Sequence, residues 1–120
     1  MSDARWKPVR QDDSGDERRL ERRRELARSL ARGGMENVQV LSFEQAETVL
    51  TPKRREIIET LRTGEDITSV RGLARTLDRD KGQVSRDLKT LAEHSVISYE
   101  DTGRGKRPYL RQEHLVVEPL

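Results

Sequence analysis

The stretch Asp78–Leu110, DRDKGQVSRDLKTLAEHSVISYEDTGRGKRPYL, decides how the chain folds. Its first half has a helical period. Val84, Leu88, Leu91 and Ala92 recur at the three- and four-residue spacing that lines one face of a helix. Asp80 stands ahead of them as an N-cap, with Gln83 three residues on as its reciprocal partner. The second half changes period. Val96 to Glu100 and Pro108 to about Val117 are β-rich, and the DTGRGKR between them carries two glycines that permit a tight reversal. A helix with a polar front and a basic hairpin therefore stand side by side.

Working outward, ITSVRGLARTLDRD precedes this stretch. Ser69 caps a helix whose inner face is Val70, Leu73, Ala74 and Leu77, and the turn Asp78-Arg79 is short. Before it, TPKRREIIETLRTG offers Thr51 as N-cap and Pro52 at the first helical position, where a missing N–H costs nothing. Ile57, Ile58 and Leu61 form its buried stripe, and Gly64 closes it. NVQVLSF reads as a short extended segment, and Ser42 with Gln45 makes a capping box for a short helix, Phe43 to Leu50.

Further upstream, DERRLERRRELARSLAR has strong helix formers and Glu-to-Arg spacings of three and four, such as Glu21 with Arg24 and Glu25 with Arg28. Its apolar stripe is thin: Leu20, Ala27, Leu30 and Ala31, with Leu26 beside it. Such a helix is marginal alone and needs a partner surface. Gly33 and Gly34 end it. Three regions follow: a disordered polar tail over 1–16, an arginine-rich helix over 17–34 for dimerisation or for lying along a DNA backbone, with a frayed arm as the alternative, and one domain over 38–118.

Three helices, a short turn between the second and third, then a hairpin is the order of a winged helix-turn-helix. The expected fold class is mainly α with a small antiparallel β wing. With Val84, Leu88 and Leu91 inward, the helix Lys81 to His94 leaves Lys81, Gln83, Ser85, Arg86, Lys89 and Thr90 outward. All can hydrogen-bond and three are cationic. Gln reads adenine bidentately, Arg reads guanine, and Ser and Lys suit base edges or phosphates. The wing, 101–108, adds Arg104, Lys106 and Arg107, positive charge with no packing purpose, placed to reach phosphates or an adjacent minor groove. Any exposed helix face is polar and any hairpin tip is solvated; the two features together carry more than either.

Composition sets bounds. The chain has 120 residues, 38% charged and only 32% hydrophobic, so its core is small. There is no cysteine, which removes disulfides and thiolate metal sites and fits a reducing cytoplasm. No apolar run approaches the roughly 20 residues of a membrane span. The net charge is +2, but its distribution is uneven: seven arginines against two glutamates from Arg18 to Arg32, and four basic residues with no acid from Thr102 to Arg111. Two lone histidines, His94 and His114, make no metal site, and no nucleophile with an orienting base is in evidence. No cofactor, metal or enzymatic activity is expected. Asp87 lies on the helix where a phosphate would repel it, so it is expected to turn inward and pair with an arginine such as Arg54 or Arg55. Tyr99 and Tyr109 read as cross-strand packing.

The pieces VLSFEQAETVLTPKRREIIETL, SVRGLARTLDRDKGQVSRDLKTLAEHSVI and the wing resemble small archaeal winged-helix regulators related to MarR and ArsR proteins. The resemblance runs from about Val38 to Glu118. The Leu-Thr-Pro-Lys-Arg start and Arg86-Asp87-x-Lys89 are its most specific parts. It implies a cytoplasmic, dimeric transcription regulator that binds double-stranded DNA through helix 81–94. Gly72, Asp78 and Ser95 stand where the family usually carries Glu, Gly and Gly. Asp tolerates a left-handed turn; Ser does so less easily. The competing expectation is a winged-helix module that docks on another protein of a transcription or replication complex, its wing on an acidic surface.

Overall fold

The computed structural model describes residues 13–64 and 66–120. Most of the tail 1–16 lies outside the described residues, but its end does not: the first helix begins at Asp13. The elements in order are α1 (Asp13–Arg32), β1 (Val38–Leu41), α2 (Phe43–Val49), α3 (Pro52–Arg62), α4 (Val70–Leu77), α5 (Lys81–Glu93), β2 (Ile97–Asp101), β3 (Lys106–Leu110) and β4 (His114–Val117). Among the described residues no helix is long and apolar enough to cross a membrane.

The cap residues act where the sequence places them. Ser42 and Gln45 form a complete capping box at α2. Thr51, Ser69 and Asp80 accept the backbone N–H groups of Arg54, Gly72 and Gln83 and so start α3, α4 and α5. The box expected at Asp80 is half made. Gln83 donates its backbone N–H, but its side chain does not return to Asp80 and makes no hydrogen bond among the described residues. That leaves the Gln83 amide exposed on the front of α5.

α3, α4 and α5 close around one core. Ile57, Leu73, Val84, Leu88 and Leu91 are fully buried, with Val49, Val96 and Ile97 sealing its ends. Ile58, Leu61, Val70, Leu77 and Ala92 pack half-buried against them. Two left-handed residues make the tight exits. Asp78, at φ 54°, ends α4, and the N–H of Arg79 returns to the carbonyl of Ala74. Ser95, at φ 62°, ends α5, and the N–H of Val96 returns to the carbonyl of Leu91. Ser95 holds this conformation although it has a Cβ.

The strands depart from expectation. β2 and β3 form the antiparallel hairpin, Ile97 opposite Leu110 and Asp101 opposite Lys106. The second strand does not run on to Val117. It breaks at Arg111, whose N–H bonds the carbonyl of Val96, and at Gln112, whose amide reaches the carbonyl of Ser95. The chain then enters β4, which pairs in parallel with β1, Val38 beside His114 and Leu41 beside Val117. Over the described residues the fold is thus mixed α/β, five helices with an antiparallel pair and a separate parallel pair.

α1 is docked on this parallel pair. Glu118, just beyond β4, is buried, and it gathers Arg19, Arg23 (3.4 Å) and the backbone N–H of Phe43 (2.9 Å). Arg19 also reaches Glu44 at 2.8 Å, and Arg22 donates to the carbonyl of Leu120. The partner surface that a marginal helix needs is β1, together with Glu118 and Leu120 beyond β4.

Candidate functional site

α5 has a period of 3.6 residues, so its unburied positions divide into three rows. Gly82, Arg86 and Glu93 lie opposite the buried Val84, Leu88 and Leu91. Lys81, Ser85 and Lys89 lie on the hairpin side. Gln83, Asp87 and Thr90 lie on the other flank, toward α3. Lys81, Gln83, Arg86 and Lys89 are exposed; Ser85 and Thr90 are half-buried. The Thr90 hydroxyl donates to the carbonyl of Arg86, so it is engaged within the helix. Glu93 closes the outward ridge with a negative charge, which confines the cationic part of α5 to its first two and a half turns.

Asp87 turns inward as expected and meets Arg54 at 3.2 Å. A second guanidinium, that of Arg79, also closes on it. Arg79 further donates to the carbonyl of Lys53 at 3.2 Å, while its Nε is buried without a hydrogen-bond partner. The three side chains are largely buried, and they fix the first half of α5 to the N-terminus of α3. Asp87 is thereby removed from the charged front. Arg79 was not singled out from the sequence, because its pairing is set by the left-handed turn at Asp78 that aims it.

The hairpin tip is built by short-range bonds. Thr102 donates its N–H to the carbonyl of Gly105 at 3.0 Å, and Asp101 accepts the N–H of Gly103 at 2.9 Å. Gly103 lies at φ 83°, where a Cβ would be strained. Arg104 sits at the apex and is exposed, with no carboxylate partner among the described residues. Lys106 lies over the Tyr99 ring at 5.8 Å. Arg107 is engaged otherwise: it pairs with Glu100 at 2.7 Å and covers Tyr109 at 5.3 Å. Both tyrosines thus support the cations of the hairpin. Arg107 braces the hairpin, whereas Arg104 and Lys106 form no ion pair among the described residues.

Helix and hairpin border one space. A cleft of about 510 Å³ is lined by Lys81 and Ser85 from α5, Arg104 and Lys106 from the hairpin, and Ser69 and Arg71 from the start of α4. Four cations face it, and among the described residues no carboxylate lines it. Arg71 was missed by sequence reasoning. The available signal was a cation in the first turn of a helix, where the dipole disfavours it and a nearby anion relieves it. Gln83, Arg86, Lys89 and Thr90 stand outside this cleft, on the adjoining front of α5. Among the described residues no group of His, Cys, Asp and Glu could hold a metal ion.

Comparison with known proteins gives one family. Residues 49–117 match the family HVO_A0114, a span from the end of α2 through β4 that includes α3, α4, α5 and the hairpin. No curated protein matches the chain.

Proposed function

The chain belongs to the HVO_A0114 family, and from the geometry of its charged cleft we propose that it is a winged helix-turn-helix regulator that binds double-stranded DNA with sequence preference. A relationship to archaeal MarR- and ArsR-type regulators acting in the cytoplasm fits this reading.

The observation that carries it is the cleft shared by α5, the hairpin and the start of α4, with four cations and, among the described residues, no acid in its lining. Two cationic elements that converge on one space repel each other unless a polyanion enters between them. A helix about 10–12 Å across fits a major groove about 12 Å wide. Arg86 and Gln83, both exposed and with no side-chain partner among the described residues, are the base readers: guanine for the guanidinium, adenine for the amide. Lys81, Ser85, Lys89 and Thr90 contact base edges or the adjoining phosphates. Arg104 and Lys106 grip the flanking backbone or enter the minor groove, with Arg107 holding the hairpin that presents them.

Selection of bound duplexes from a random pool tests the sequence preference. A recovered motif should lose roughly 1–3 kcal/mol of affinity in Arg86→Ala while binding to scrambled duplex stays unchanged. Recovery of no motif, with wild-type affinity in Arg86→Ala, would refute it.

A further inference from the structure

The reading above leaves α1 without a task, although it is the most heavily charged element. All the exposed large apolar side chains among the described residues fall beside it or within it: Leu20, Met35, Phe43, Val117 and Leu120, with none from 44 to 116. The inner side of α1 is occupied. Arg19, Arg23, Leu26 and Leu30 face the body, half-buried, and the two arginines hold Glu118. A second row, Leu20, Arg24, Ala27 and Ala31, recurs at the four-and-three spacing of a helix–helix seam. Leu20, Arg24 and Ala31 on that row are exposed.

Part of the charge of α1 is balanced within the helix itself. Arg28 is held by Glu21 at 2.8 Å and Glu25 at 2.9 Å, and Arg32 by Glu25 at 3.1 Å. Glu21 and Arg28, one heptad apart, flank the open row on the same side. Antiparallel pairing of two such helices sets Glu21 opposite Arg28 of the other copy, twice, by the two-fold axis. Parallel pairing sets like against like. Ala27 and Ala31 let the axes approach closely, and the Arg24 stem can lie across the small Ala27 with its head in water.

We propose that α1 is a dimerisation helix, pairing antiparallel with α1 of a second copy of this chain along Leu20, Ala27 and Ala31, with Glu21 of each copy facing Arg28 of the other. This inference does not depend on DNA binding; a monomer would leave that reading intact.

Sedimentation equilibrium of the full chain should give near twice 13.9 kDa. Leu20→Glu should raise the dissociation constant at least tenfold while its circular-dichroism melt stays as in wild type. Glu21→Arg and Arg28→Glu should each weaken the dimer, and the double variant should restore it. The chain has no cysteine, so direction can be read by crosslinking. Leu20→Cys with Ala31→Cys in one chain should oxidise to a covalent dimer, since the two positions lie about 16 Å apart within a helix and cannot close on themselves. Leu20→Cys alone should not. A monomer at all concentrations, a Leu20→Glu variant that dimerises like wild type, a double charge swap that fails to restore the dimer, or a covalent dimer from Leu20→Cys alone would overturn the proposal.

Discussion

Three residues carry more of the structure than their neighbours. Asp87 neutralises two guanidiniums, so Asp87→Ala leaves Arg54 and Arg79 facing each other with little water to screen them. The expected loss is about 3 kcal/mol in urea unfolding, because removing one partner of a buried pair strands the other. Ser95 sits in the left-handed region, and its side chain makes no hydrogen bond among the described residues. Ser95→Gly should therefore raise stability by about 0.5 kcal/mol: relief of left-handed strain outweighs the greater freedom of glycine in the unfolded chain. Unfolding that is easier in Ser95→Gly would refute this. Glu118 is titratable and buried, and the hydrogen bond from Arg19 holds its carboxyl below the ordinary carboxylate value. A lowered folded pKa gives stability that is complete above the ordinary range and is lost as pH falls through the folded value. Acid should thus release α1, seen as lower amide-exchange protection factors in α1 below about pH 4, where free glutamate titrates. Glu118→Gln should lose about 1–2 kcal/mol at pH 7 and flatten that acid dependence.

At the scale of elements, the helices were legible because their signals are local. A cap, an apolar stripe at the helical period and a closing glycine lie within about 15 residues of one another, and Thr51 to Gly64 contains all three. The hairpin was legible for the same reason, its turn chemistry being confined to DTGRGKR. The parallel pair was not. Val38 and His114 are neighbours in space and far apart in sequence, and no local period encodes which strand another will meet. The break at Arg111 to Glu113 was hidden because its bonds run to distant backbone: Asn37 donates its side-chain amide to Glu113 and accepts the N–H of His114. The clamp at Glu118 was hidden likewise. The start of α4 was legible as a helix but not as part of the cleft. If Arg71 faces the same polyanion as the hairpin, Arg71→Ala should weaken binding to all duplexes alike, without altering the selected motif; fluorescence anisotropy on matched and scrambled duplexes would show it.

At the scale of the molecule, the chain is elongated. Its principal extents are 61 × 32 × 22 Å and its radius of gyration is 17.7 Å, against about 14 Å for a compact chain of this length. A 20-residue helix of about 30 Å on a small body explains the difference. Two regions are thus distinct: the span from α3 to β3 holds most of the apolar core and the charged cleft, while the exposed large apolar side chains among the described residues all lie outside it. The sequence revealed the first region through its helical stripes and basic tip. It left the second open, since a stripe half covered by a strand of the same chain reads the same as one waiting for another molecule.

The most direct test of the central claim, that α5 and the hairpin face one polyanion, is the salt dependence of duplex binding in wild type and in the double variant Arg104→Ala/Lys106→Ala. Wild type should bind with a steep negative slope of log K against log salt, and the variant should bind more weakly on every sequence with that slope reduced by about 0.9 for each phosphate contact removed. Equal affinity and equal slope for the two proteins, or no duplex binding by wild type at low salt, would contradict it.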